Sequence, residues 1–167
     1  SGSMAAEDLK PKNRLEVAKE TMKEFISLRK HDRIGLVVFG TDAYTQVPLT
    51  NDYQIIGNFF NDINLSMAGD GTSIGMAIAT GLNRLKESKS KSKIMVLLTD
   101  GENNAGEIDP LSAAELASSF GVKVYTIGVG KKGGAPIPYI DPRLGKTYYR
   151  NPNGSVFMTK LDEDLLK

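Results

Sequence analysis

Lys93 to Thr99 reads KIMVLLT, a near-continuous apolar run that stops at Asp100-Gly101. A short apolar run bounded by turn residues is what a parallel strand covered on both faces requires, and this one decides the fold class. Downstream, Leu111 to Phe120 (LSAAELASSF) predicts a helix entered through Asp109-Pro110, and Val122 to Val129 (VKVYTIGV) predicts a further strand. Upstream, the Gly-rich loop from Ala68 to Thr72 leads into a helix from about Ser73 to Lys86. Strand, helix, strand, helix in this rhythm implies right-handed crossovers and a doubly wound α/β sheet, mostly parallel, with helices on both faces.

The first half of the chain fits the same plan. Asn13 to Arg29 sets Leu15, Ala18, Met22, Phe25 and Ile26 on one stripe with charges elsewhere, an amphipathic helix. Arg33 to Phe39 and the more polar Ala43 to Leu49 flank a Gly40-Thr41-Asp42 turn and predict a hairpin, with Pro48 marking its second strand as an antiparallel edge. Asn51-Asp52 caps a helix through Ile63 that buries Ile55, Ile56, Phe59 and Phe60. From Lys131 to Thr159 the rhythm fails, beginning with a run rich in Gly and Pro from Lys131 to Pro142. Lys146 to Arg150 and Ser155 to Thr159 predict a short β pair around Asn153-Gly154, an excursion off the sheet. Leu161 to Lys167 opens a last helix.

The 167 residues make one domain, and composition removes most chemistry. With Cys 0 and His 1 there is no disulfide, thiolate site or two-histidine zinc site, and a Ser/His/Asp arrangement would depend on His31 alone. Lys+Arg 21 against Asp+Glu 20 leaves a net charge of +1, which argues against nucleic acid as a partner. Neither a signal peptide nor a membrane span of about 18 apolar residues is present.

Ligands of open α/β sheets bind beyond the carboxyl ends of the strands, where Asp100 falls. Taken singly, the polar residues there read blandly: Thr99-Asp100-Gly101 as a turn, Thr72 as a helix N-cap, Ser1-Gly2-Ser3 as an artificial leader. Taken together, paired serines, a loop threonine and an aspartate after a strand supply the hydroxyl and carboxylate oxygens a hard octahedral cation prefers.

In this combination the chain resembles the von Willebrand factor type A (VWA) domain, whose metal-ion-dependent adhesion site reads Asp-x-Ser-x-Ser, then Thr, then Asp. Ser1-Gly2-Ser3, Thr72 in Asp70-Gly71-Thr72 and Asp100 in Leu98-Thr99-Asp100-Gly101 match its parts. SGSMAAEDLKPKNRLEVAK, DGTSIGMAIATGLNRLK, KIMVLLTDGENNAGEIDPLSAAELA, VKVYTIGVG and GAPIP are most similar to the bacterial aerotolerance-associated Bat family, in its BatA-like form.

The resemblance implies Mg²⁺, or Mn²⁺ or Ca²⁺, held by Ser1, Ser3, Thr72 and, through water, Asp100. An acidic side chain of a partner protein would complete the coordination, with Asp70, Glu102 and Asn103 at the rim. It also implies a protein anchored in the bacterial inner membrane, this domain facing the periplasm, acting with other Bat proteins and a MoxR-type AAA+ ATPase. By the family pattern, the motif's first aspartate and its central strand would precede Ser1, and a last strand and helix would follow Lys167. The domain is therefore expected to be trimmed at both ends, with weakened metal affinity.

Enzymatic readings fare less well. Gly128 to Gly133 formally matches G-x-G-x-x-G, but Gly134-Ala135-Pro136-Ile137-Pro138 forbids the helix a dinucleotide site needs. No P-loop is present, so neither reading gives a nucleotide. Mg²⁺- or Mn²⁺-dependent phosphoester hydrolysis is the remaining alternative, and it needs more strand-end carboxylates than Asp100. The sequence favours recognition over turnover.

Overall fold

The structure, a computed structural model, describes residues 2–100, 102–131, 133–159, 162 and 164–166. The run that opened the reading is β3 (Lys93–Thr99), paired in parallel with β4 (Val122–Gly128). The register runs unbroken from Lys93 opposite Val122 to Thr99 opposite Gly128, so both strands end at the same level. There the Val129 amide donates to the Thr99 carbonyl at 2.8 Å, bringing the two strand-end loops together. β1 (Ile34–Phe39) and β2 (Ala43–Thr50) form the expected antiparallel hairpin, and Pro48 is exposed on it.

Helices cover both faces, and three of them are started by local chemistry. Asn13 and Glu16 form a reciprocal capping box at the head of α1 (Arg14–Ser27). Asp52 caps α2 (Tyr53–Asp62), and Asp109 followed by Pro110 starts α4 (Pro110–Ser119). On one face Ile26 of α1 and Ile56 and Phe60 of α2 bury against Val47, with Ile34 and Leu36 alongside. On the other, Ile74, Ala77, Ile78 and Leu82 of α3 (Ile74–Leu85) pack with Ala113 and Ala117 of α4 onto Leu97 and Val122. The expected stripes are thus buried in part: Ile55 is 43% exposed and Phe25 lies at the margin.

The α/β architecture is as expected, but the sheet is divided into a β1–β2 half and a β3–β4 half. Between β1 and β3 lies a cavity of about 740 Å³. Every residue of both strands contributes to its wall, and because consecutive residues line it, the cavity borders strand edges and not only one pleated face. No strand among the described residues bridges the two halves.

The excursion corrects the reading of residues 131–159. Its hairpin is β5 (Pro138–Asp141) with β6 (Gly145–Tyr148), whereas the expected pair around Asn153-Gly154 is reduced to a single bridge, Arg150 with Val156. Two prolines made Pro136 to Asp141 read as loop. The turn is made by Asp141, whose Oδ1 accepts from the Arg143 and Leu144 amides at 2.7 and 2.9 Å. The expected helix from Leu161 to Lys167 lies largely outside the described residues.

Candidate metal centre

Asp100 follows the last residue of β3 and is 1% exposed. Its Oδ2 accepts from Nη1 of Arg14 at 3.2 Å. Arg14, at the first position of α1, is wholly buried and turns the rest of its guanidinium on Asp8, donating from Nε and Nη2 at 3.0 and 2.9 Å. Asp8 in turn accepts the backbone amide of Lys131 at 2.8 Å. Burial alone would raise the Asp8 pKa, but the Arg14 hydrogen bond and charge together with the Lys131 amide outweigh it and hold the carboxyl below the ordinary aspartate value. Gly130 lets the loop after β4 pass over the guanidinium: at φ +140, a Cβ there would meet Arg14 Cζ at 2.8 Å. One buried cation thus joins the segment after Ser3, the end of β3 and the loop after β4.

Two carboxylates around one guanidinium leave one negative charge uncompensated. The buried Oδ1 of Asp100 has no hydrogen-bond partner among the described residues. A buried carboxylate oxygen without a donor costs free energy unless a cation or water meets it.

Thr72 is buried just ahead of α3. It is not the helix cap: Ser73 holds that position, and its hydroxyl donates to the Gly40 carbonyl at 2.8 Å instead. The free amides at the head of α3 are satisfied from another loop. Asn103 Oδ1 accepts from Ile74 N and Asn104 Oδ1 from Thr72 N, both at 2.8 Å. The Thr72 carbonyl accepts the amides of Asn104 and Ala105 at 3.1 and 3.2 Å. The loop after β3 is thereby laced to the loop before α3.

Ser3 is buried in a 3-10 turn, Gly2–Ala5. The Gly2 amide donates to the Asp70 carbonyl at 3.2 Å, the Ala6 amide to Ser3 O at 3.0 Å and the Arg14 amide to Ala6 O at 3.0 Å. Thr72 and Asp100 share the wall of the 740 Å³ cavity with Met4. The segments carrying Ser3, Thr72 and Asp100 therefore converge at one end of the sheet, while Ser1 lies outside the described residues. Of the rim residues, Asp70 is exposed, Glu102 half-buried, and Asn103 has its Oδ1 engaged on α3. His31 is exposed, as expected.

Sequence reasoning missed Asp8, Arg14 and Asn104. A signal for Arg14 was available: it shares the i, i+4 row of Ala18 and Met22, so a charge sits on the buried stripe of α1. Among the described residues no three His, Cys, Asp or Glu side chains gather as a cage, so any cation here would lean on hydroxyls and one carboxylate. The residue types, buried Ser3 and Thr72 hydroxyls and the orphaned Asp100 Oδ1, fit a hard divalent ion.

The family model of the von Willebrand factor type A domain matches residues 1–157, and the chain belongs to that family. Within it, the chain is 36% identical to an aerotolerance-related membrane protein of Bacteroides fragilis, with a TM-score of 0.88 over 99% of this chain and 80% of that one. BatB of Bacteroides thetaiotaomicron is 35% identical, with a TM-score of 0.87 over 99% and 78% of the two chains. A protein of Borreliella burgdorferi is 41% identical over 130 residues. The match takes in 78% of this chain but spans only 38% of that relative's length. A more distant solved structure, a mussel byssus thread matrix protein, is 25% identical, with a TM-score of 0.63 over 78% of this chain and 36% of its own, and is described with zinc in its metal-ion-dependent adhesion site. Among the described residues no helix is long and apolar enough to cross a membrane.

Proposed function

We propose that the domain is a metal-ion-dependent protein-interaction module that binds an acidic side chain of a partner through a divalent cation, Mg²⁺ or Mn²⁺ or Ca²⁺. The observation that carries this reading is the buried, unpartnered Oδ1 of Asp100 at the end where the segments of Thr72 and Ser3 meet. Ser1, Ser3 and Thr72 would hold the ion with neutral hydroxyls and Asp100 would hold it directly or through water. The ion supplies an underneutralised positive charge that attracts a carboxylate from outside. Asp70 and Glu102 at the rim screen the approach, and Asn103 holds the loop through α3.

We assign the cavity between β1 and β3 to an extended strand of the same domain, one that carries the aspartate the motif requires ahead of Ser1. Support comes from the consecutive lining of the cavity, which presents strand edges on two sides. For the whole protein we propose inner-membrane anchoring with this domain in the periplasm, and action with other Bat proteins and a MoxR-type ATPase. The anchoring draws on the likeness to an aerotolerance-related membrane protein, and the partners on the sequence's resemblance to the Bat family.

The proposed function is binding and not turnover: among the described residues Asp100 is the one strand-end carboxylate at the site, and the further aspartate assigned to the added strand is taken up in holding the ion. The test is capture of partners from a bacterial membrane extract with and without EDTA. Recovery of a protein released by EDTA and lost in Asp100→Asn supports the module, and a protein retained equally with EDTA contradicts it. Sustained phosphoester turnover with Mn²⁺, abolished in Asp100→Asn, would establish the hydrolase instead.

A further inference from the structure

Arg14 presents an unusual arrangement for an ion pair. It is wholly buried, it spends Nε and Nη2 on Asp8 and Nη1 on Asp100, and it takes only one of the two Asp100 oxygens. The Asp100 oxygen left over is the unpartnered one. A brace whose only task was to hold the β3 end in place would be free to saturate both oxygens, since a guanidinium fork matches a carboxylate two-to-two. Here the fork is turned on Asp8 instead, and Asp8 is fixed from the other side by the Lys131 amide. The Asp100 carboxylate is thus both oriented and partly neutralised.

Building on the reading of the preceding section, we propose that Arg14 is a positioning residue that sets the charge of the metal centre. It draws off the charge of Asp100 through Oδ2, so that a divalent cation at Oδ1 stays electron-poor and takes its last ligand from a partner carboxylate. Asp8 is the counterweight, limiting how much positive charge Arg14 presents to the ion. Arg14 therefore trades metal affinity for carboxylate affinity, and Asp8 adjusts the exchange. The pair gives the module two settings that move in opposite senses, which a purely structural brace would not. Lys could not replace Arg14, because an ammonium lacks the planar fork that reaches both carboxylates.

The experiment is calorimetric titration of the full chain with Mn²⁺, followed by titration of the Mn²⁺-loaded protein with glutarate as the carboxylate probe. Four proteins are compared: wild type, Arg14→Gln, Asp8→Asn and Thr72→Ala. Unit charges a few ångströms apart in a partly buried site predict that Arg14→Gln binds Mn²⁺ about tenfold more tightly and glutarate about tenfold more weakly. Asp8→Asn shifts both constants the other way, by a smaller factor. Mn²⁺ affinities that move in the same direction in the two variants, or not at all, overturn the proposal and leave Arg14 as a brace. Where Arg14→Gln fails to give the wild-type circular dichroism spectrum, the near-isosteric Asp8→Asn decides alone: reduced Mn²⁺ affinity with tighter glutarate supports the proposal, and any other result overturns it. Thr72→Ala separates the two levels of inference. If it weakens Mn²⁺ binding while the other two variants move together, the charge-setting role falls alone. If it leaves Mn²⁺ binding unchanged, the metal centre falls and this proposal with it.

Discussion

At the carboxyl end of β3, Asp100 reaches Arg14 across 86 positions of chain, whereas in the β5–β6 hairpin Asp141 reaches no further than Leu144. The first region buries its polar groups and ties three distant segments into one network. The second keeps its polar bonds local and leaves apolar side chains outside, with Ile140 74% and Leu144 80% exposed. The Thr159 hydroxyl closes the excursion on itself by accepting the Ala135 amide at 3.1 Å, and the exposed Lys146–Glu7 pair ties its hairpin to the first segment. The difference teaches where rigidity is concentrated. Buried charges need partners fixed from several directions, so their geometry is shared by the whole domain, while a hairpin stapled by its own turn can vary without disturbing the site.

The largest effect is expected at Arg14. Arg14→Met strands Asp8 and Asp100 without their buried cation and should lower the unfolding free energy by about 3–5 kcal/mol in urea denaturation. A loss under about 1 kcal/mol would mean that the network is not a structural hub. Next comes Gly130→Ala, whose new Cβ would press on Arg14 Cζ at 2.8 Å from a backbone at φ +140. About 1–3 kcal/mol is expected. Gly145→Ala in the hairpin also has a positive φ, +73, but no atom lies within 4 Å of the added carbon. Only the conformational cost remains there, about 1 kcal/mol. The smallest effect belongs to Leu144→Ser, within about 0.5 kcal/mol of wild type in the same denaturation.

Acid probes the buried network as well. Asp8 is held below the ordinary aspartate value of 3.8, so its contribution to stability is fully present above that pH and is lost as the pH falls through the lower folded value. Wild type should therefore lose stability below about pH 4, and Asp8→Asn should lose less over the same interval, measured as urea midpoints against pH. An identical acid limb in the two proteins would show that the Asp8 carboxylate is not held as the geometry indicates.

The division between the regions also explains what could be read in advance. β3, β4 and the helices α2 and α4 were legible because apolar runs, Asn51-Asp52 and Asp109-Pro110 are local signals whose causes lie within a few residues. Ser3, Thr72 and Asp100 stood out in the sequence as a spaced pattern; Ser3 and Thr72 lie next to the hydrogen-bonded Gly2 and Asp70 segments, and Thr72 and Asp100 line one cavity. What escaped was non-local or disguised. Arg14 reads as one of the charges off the stripe although it shares the row of Ala18 and Met22, and nothing nearby in sequence shows which carboxylates that row meets. The Asn103 side chain caps α3 from 29 positions away, and Asn104 holds the Thr72 amide just ahead of it from 32, roles no local cap rule detects. Pro136 and Pro138 hid β5, because a hairpin outside the main sheet tolerates proline where a central strand would not.

The central claim is that Thr72 and Asp100 bind a divalent cation, and titration calorimetry with Mn²⁺ on wild type, Thr72→Ala and Asp100→Asn tests it most directly. Saturable binding by wild type, weakened about tenfold or more in each variant while their circular dichroism spectra match wild type, is the predicted result. Equal heats and equal affinities in all three would contradict it.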